Sequence, residues 1–89
     1  MNTFRLTIAS PDGNMFDADA VNHSLRGVEG DLAIMANHVP FVTSVKEGVC
    51  TVTLEDGKVL HARTSGGLLT VGNNKATLLS SGFVFEKDE

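Results

Sequence analysis

The strongest constraint in this chain is the period of its hydropathy, which is two rather than three to four. "TFRLTIA" (3–9) sets Phe4, Leu6 and Ile8 on one face and Arg5 and Thr7 on the other, as a strand with one buried side requires. "SPDG" (10–13) is a turn: Pro fixes φ at its second position and Gly supplies φ > 0. "NMF" resumes extended chain, and "AVNHSLR" (20–26) reads as another strand. "GVEGD" (27–31) is a loop, and "LAIM" (32–35) is a short apolar strand. "ANHVP" (36–40) is a loop, because Pro40 has no donor and disfavours helix at Val39.

Two hairpins follow. In "GVCTVTLEDGKVLHART" (48–64), Asp-Gly between alternating runs predicts a two-residue type I′ turn. With Asp56 and Gly57 as the loop, Glu55 faces Lys58, Leu54 faces Val59 and Val52 faces His61, while Thr53 faces Leu60 and Thr51 faces Ala62. "GGLLTVGNNKATLLS" turns at Asn73 and Asn74, which tolerate the left-handed region, so Val71 meets Ala76 and Leu69 meets Leu78. No stretch carries a helical repeat of useful length. The pattern predicts an all-β fold, a flattened β-sandwich or barrel of about ten short strands in two sheets. It forms one domain over residues 1–85, and the charged tail 86–89 is expected to fray.

Size and charge narrow the function. Eighty-nine residues make one domain with a modest core. A net charge of −4, eleven acids against seven Lys and Arg, argues against nucleic acid and against anionic lipid headgroups. A basic protein surface is the more natural partner. One cysteine, Cys50, excludes an internal disulfide and a Cys-rich zinc site. The N-terminus has no long apolar core of a signal peptide, and no apolar run approaches a membrane span. The chain is expected to be soluble, most simply cytoplasmic, with no direct membrane insertion.

The residues that could carry chemistry gather in "EGDLAIMANHVPFVT" (29–43), which holds Glu29, Asp31 and His38. A zinc site needs three or four converging ligands, and His23, His38 and His61 show neither a His-x-x-x-His nor a Cys pair. His23 and His61 read as sheet-surface or half-buried residues. Cys50 alternates with Val52 and Leu54 and faces the core, where cysteine acts as a small hydrophobe. "TSGG" (64–67) lacks the Gly-Lys-Ser/Thr of a phosphate loop and reads as close backbone packing. Neither Glu29 nor Asp31 is desolvated enough in a short loop to work as a general acid. The expectation is no catalytic, metal or cofactor site, and a solvated acidic loop or a docking surface for Arg or Lys.

Three linked blocks carry a resemblance. "RLTIASPDGNMFDADA" resembles L-x-I-x-[ST]-P-x-G-x-x-F. "RGVEGDLAIMANHVPFVTSVKEGV" resembles PG-x-EG-[ED]-[FL]-G-[IV]-L-x-x-HAPL-[LV]-[TS]-x-[LI]-x-x-G. "TSGGLLTVGNNKATLLSS" resembles [VL]-SGG-[FI]-L-E-V-x-x-N-x-V-T-[VI]-L. In this order and spacing they resemble the N-terminal β-sandwich of the ε subunit of F-type ATP synthase. Departures are Ala33 and Asn37 at usual Gly positions, Val39 for Ala, and Thr70 for Glu.

The resemblance implies a non-catalytic rotor subunit at the foot of the central stalk. It would join the γ subunit to the polar loops of the membrane c-ring, beside the other F1 subunits. That places it, in a bacterium, at the cytoplasmic side of the inner membrane as a peripheral component. It implies that Glu29, Gly30, Asp31 and His38 face the c-ring, and that Ser10 and Thr43 face γ. Most members continue into a C-terminal helical hairpin, and this sequence stops where that hairpin would begin. Hairpin-based inhibition and nucleotide binding are therefore not part of the expectation. The rival readings are a stand-alone β-sandwich binding a protein or ligand, and a small hydrolase using Cys50 or His38.

Overall fold

A computed structural model of the chain describes residues 2–86 except Asp12, Val28, Glu29 and His38; the side chain of Asn14 is also not described. The strands are β1 (Phe4–Ser10), β2 (Gly13–Gly27), β3 (Gly30–Ile34), β4 (Phe41–Val45), β5 (Gly48–Leu54), β6 (Val59–Thr64), β7 (Gly67–Gly72), β8 (Lys75–Ser80) and β9 (Phe83–Phe85). The described residues contain no helix. "NMF" and "AVNHSLR" are one strand, β2, of fifteen residues. Phe85 belongs to β9, and the Glu86 N–H donates to the His61 carbonyl at 2.8 Å. The rest of the expected tail, 87–89, lies outside the described residues.

Alternation sets the core. Phe4, Leu6 and Ile8 of β1 are buried, as are Leu69 and Val71 of β7 and Ala76 and Leu78 of β8. Cys50 and Val52 of β5 are also buried, and the same cluster takes residues from β2, β3, β4, β6 and β9. Hydrogen bonding joins all nine strands into one mixed sheet rather than two separate ones. The length of β2 explains this. It pairs with β1, β3, β4 and β5 along different parts of its length. The path β1–β8–β7–β4–β2 closes back on β1, while β5, β6 and β9 continue outward from β2. The expected sandwich or barrel character thus comes from one sheet folded around one core. Among the described residues only β1 and β8 run parallel.

β2 also carries an irregularity. Ala20 pairs with Leu54 and Asn22 with Thr53, so Val21 is the extra residue of a β-bulge. Before it Ala20 faces inward; after it His23, Leu25 and Gly27 do. The bulge therefore turns His23 into the core, where it is fully buried, against the expectation of a surface or half-buried ring.

The second hairpin has the expected register, Val71 with Ala76 and Leu69 with Leu78. Asn73 and Asn74 have φ of 51° and 59°, both left-handed, as a type I′ turn requires. The Asp-Gly hairpin differs by one residue. The Gly57 N–H donates to the Leu54 carbonyl at 3.0 Å, and the Leu54 N–H to the Lys58 carbonyl at 2.8 Å. Of the loop residues Glu55, Asp56 and Gly57, only Gly57 has positive φ (92°). This is a three-residue type I turn closed by a glycine bulge, not a type I′ turn. The pairing is therefore Cys50 with Ala62, Thr51 with His61, Val52 with Leu60 and Thr53 with Val59. The physical reason is burial. The expected register would have set buried Val52 opposite exposed His61, whereas the observed one matches Cys50 with buried Ala62. Gly57→Ala is expected to cost about 1–2 kcal/mol, the penalty for a Cβ in the left-handed region. Urea unfolding checks it, and since no atom lies within 4 Å of the added Cβ, the loss is conformational alone.

Candidate functional site

The β2–β3 hairpin holds part of the expected docking set. Gly27 pairs with Gly30 and Arg26 with Asp31, so residues 27, 30 and 31 of the loop expected over 27–31 are strand. Arg26 Nε and Asp31 Oδ1 stand 3.6 Å apart, with side chains 66% and 79% exposed. Such a pair contributes about 0–1 kcal/mol, so Asp31 can exchange Arg26 for an incoming cation at little cost. The Lys46 N–H donates to the Arg26 carbonyl at 2.8 Å and ties this end of β2 to the exit of β4. Glu29 and His38 lie outside the described residues.

The two expected ring-facing residues that are described, Gly30 and Asp31, are adjacent in β3. β3 carries the chain away from Asp31, by about 10 Å over the three residues to Ile34. Asn37, beside His38, then lies at the β7–β8 turn, where its N–H donates to Asn74 Oδ1 at 2.7 Å. Gly30 and Asp31 share one end of β3, and the 36–40 loop leaves from the other.

Of Ser10 and Thr43, only Ser10 adjoins an outer surface that sequence reasoning missed. Ser10 closes β1, next to the pair Ala9–Leu79. Thr43 is half-buried in β4 opposite inward-facing Leu69, while its neighbours Val42 and Ser44 are exposed. The outer face of β8, β7 and β4 forms a register row Ala9–Leu79–Leu68–Ser44. The adjacent row is Thr7–Thr77–Thr70–Val42. Leu79, Leu68 and Val42 are 50%, 41% and 61% exposed, so two uncharged rows present apolar area to solvent. The neighbouring outer face is different. There Arg5 Nε donates to Asp17 Oδ1 at 2.7 Å, reaches Asp19 at 3.4 Å and holds the Asp17 carboxyl below its usual range. The signal for the strip was present as the doublets Leu68-Leu69 and Leu78-Leu79. Successive strand residues point to opposite faces, so a doublet makes both faces apolar.

The residues considered for chemistry are placed as follows. Cys50 is buried, and burial pushes its thiol up to about 11, far from a reactive thiolate. His23 is held by burial at about 4 and is neutral at neutral pH, and neither ring nitrogen has a hydrogen-bond partner among the described residues. His61 is exposed on β6. Among the described residues no group of three or more His, Cys, Asp or Glu could hold a metal ion. In "TSGG", a Cβ on Gly67 would collide with the Leu79 carbonyl, so the glycine serves close strand packing.

The family model described as "ATP synthase, Delta/Epsilon chain, beta-sandwich domain" matches residues 3–86. The chain belongs to this ATP synthase delta/epsilon β-sandwich family. A curated relative, the "ATP synthase epsilon chain" of Desulfitobacterium hafniense, is 40% identical over 78 residues, covering 88% of this chain and 58% of the relative. The "ATP synthase epsilon chain, sodium ion specific" of Acetobacterium woodii is 37% identical over 78 residues, covering 88% and 59%. The chain thus spans a little under three-fifths of the length of these relatives. A chain of the Euglena gracilis mitochondrial ATP synthase OSCP/F1/c-ring structure superposes with a TM-score of 0.88 at 23% identity, over 97% of this chain and 56% of that one. One from the Tetrahymena thermophila mitochondrial ATP synthase central stalk and c-ring gives 0.73 at 14% identity, over 89% and 63%. At those identities the likeness is one of fold. The delta/epsilon fold also accounts for one departure: Asn37 stands at a usual Gly position, and its φ of 62° is one that Asn tolerates better than other side chains.

Proposed function

We propose that this chain is the non-catalytic rotor piece of a bacterial F-type ATP synthase, joining the γ subunit to the polar loops of the c-ring and carrying torque between them. It would sit among the F1 subunits at the cytoplasmic side of the inner membrane. Family membership supports the assembly. The observation that carries the joint is the pairing of two unlike surfaces on one rigid sheet: an uncharged apolar strip and, on another strand pair, a hairpin ending in an exposed carboxylate. The strip suits a lasting protein interface, whose buried centre is depleted of charge. The hairpin suits a polar loop offering Arg, to which Asp31 would make a charge-assisted contact.

In this reading γ lies on the face of Leu79, Leu68 and Val42, with Ser10 at its border; Thr43, assigned to γ by resemblance, points to the other face of β4. The ring meets the β2–β3 hairpin at Gly30, Asp31 and Glu29. His38 is assigned to the ring by resemblance and lies outside the described residues. A packed core under both surfaces lets the sheet transmit force without slipping.

Asp31→Lys tests the ring side. In membranes reassembled with the variant, ATP-driven proton pumping is expected to fall to a small fraction of the wild-type value while ATP hydrolysis persists. The fold should be unaffected, since the Arg26 pair is exposed and weak. Undiminished pumping would remove Asp31 from the contact.

A further inference from the structure

The turn between β7 and β8 does more than reverse the chain. The Asn74 side chain spends both ends of its amide on other segments: Nδ2 donates to the Thr3 carbonyl at 2.8 Å, and Oδ1 accepts the Asn37 N–H at 2.7 Å. Its own carbonyl accepts the Arg5 N–H at 3.1 Å. One residue therefore joins the entry to β1, the β7–β8 turn and the β3–β4 loop, which are far apart in sequence. The β3–β4 loop is the connection between the strand that bears Asp31 and the strand that bears Val42. It also presents Val39, which is 69% exposed.

We propose that Asn74 is a positioning residue, a latch that fixes the 36–40 loop so that β3 and β4 meet their partners as one rigid unit. This rests on the rotor reading above. The latch works through backbone groups, so it acts on whatever side chains the loop carries. Releasing it frees the Asn37 amide and lets the loop sample conformations that no longer present Val39 and the start of β4 together. Binding then loses pre-organisation rather than contacts, which lowers affinity through ordering cost.

Two variants separate the latch from the turn. Asn74→Gly keeps the left-handed backbone and removes the amide. Asn74→Asp keeps the acceptor for Asn37 and replaces the donor to Thr3 with a carboxylate oxygen that the Thr3 carbonyl repels. The readouts are hydrogen exchange of the Asn37 amide, and titration of the folded chain with the isolated γ subunit. Asn74→Gly is expected to speed Asn37 exchange at least tenfold and weaken γ binding about tenfold, and Asn74→Asp to restore most of both. Unchanged Asn37 exchange in Asn74→Gly would overturn the latch. Faster exchange with unchanged affinity would overturn its part in docking. Failure of the wild-type chain to bind γ would instead overturn the rotor reading and the docking role with it, while the exchange data still decide the latch.

Discussion

Between pH 7.5 and pH 5 the folded chain is expected to lose about 2 kcal/mol of stability through one side chain, and His23→Leu is expected to abolish that loss. His23 is fully buried, between its register partners Ile34 of β3 and Val52 of β5. Burial lowers its pKa to about 4, while in the unfolded chain the ring titrates near its ordinary 6.5. Above the unfolded value both states are neutral and the ring adds no pH dependence. As pH falls from 6.5 towards 4 the unfolded chain takes up the proton first, so unfolding is favoured, by about 3 kcal/mol once both values are passed. Most carboxylates titrate lower, which leaves pH 5 to 7 as the clean window. Urea unfolding at pH 7.5 and 5 reads the effect, and equal losses in wild type and His23→Leu would refute it. At pH 7.5 the leucine variant should be the more stable, because two ring nitrogens without partners among the described residues leave the core.

The second large effect is on binding. Leu68 and Leu79 face each other directly on the outer surface of β7 and β8. Replacing both with an opposite-charge pair, Leu68→Lys with Leu79→Glu, keeps a favourable cross-strand contact. It removes the apolar centre of the proposed γ surface. Stability should change by about 1 kcal/mol or less, since both leucines are already 41% and 50% exposed. Affinity for γ should fall at least about a hundredfold, as the loss of two central interface residues implies. A melting curve and a binding titration on the same sample separate the two. Unaltered affinity would move the γ contact off this face.

Much of this was legible from alternation. β1 and the β7–β8 hairpin could be read residue by residue, because the inward face of each is continuously apolar and Asn-Asn marks the hairpin's turn. Two features broke the rule of two. The bulge at Val21 reverses the facing of β2, and no local residue announces it; it lies where β1 gives way to β3 along one edge of β2. The Asp-Gly turn fits two hairpin types, and core matching across β5 and β6, not the dipeptide, chooses the register. At the candidate site, Gly30 and Asp31 read in sequence as the end of a loop before "LAIM", whereas they are the first two residues of β3. The apolar strip was written in two leucine doublets but needed the neighbouring strands to become a surface. The Asn74 latch joins residues 71 positions apart, beyond the reach of any local pattern.

The central claim is that this sheet is one half of a rotor joint with γ. Calorimetric titration of the chain into the isolated γ subunit tests it most directly. A one-to-one complex is expected, with a negative heat-capacity change from burial of Leu68, Leu79 and Val42. A titration with no complex would contradict it.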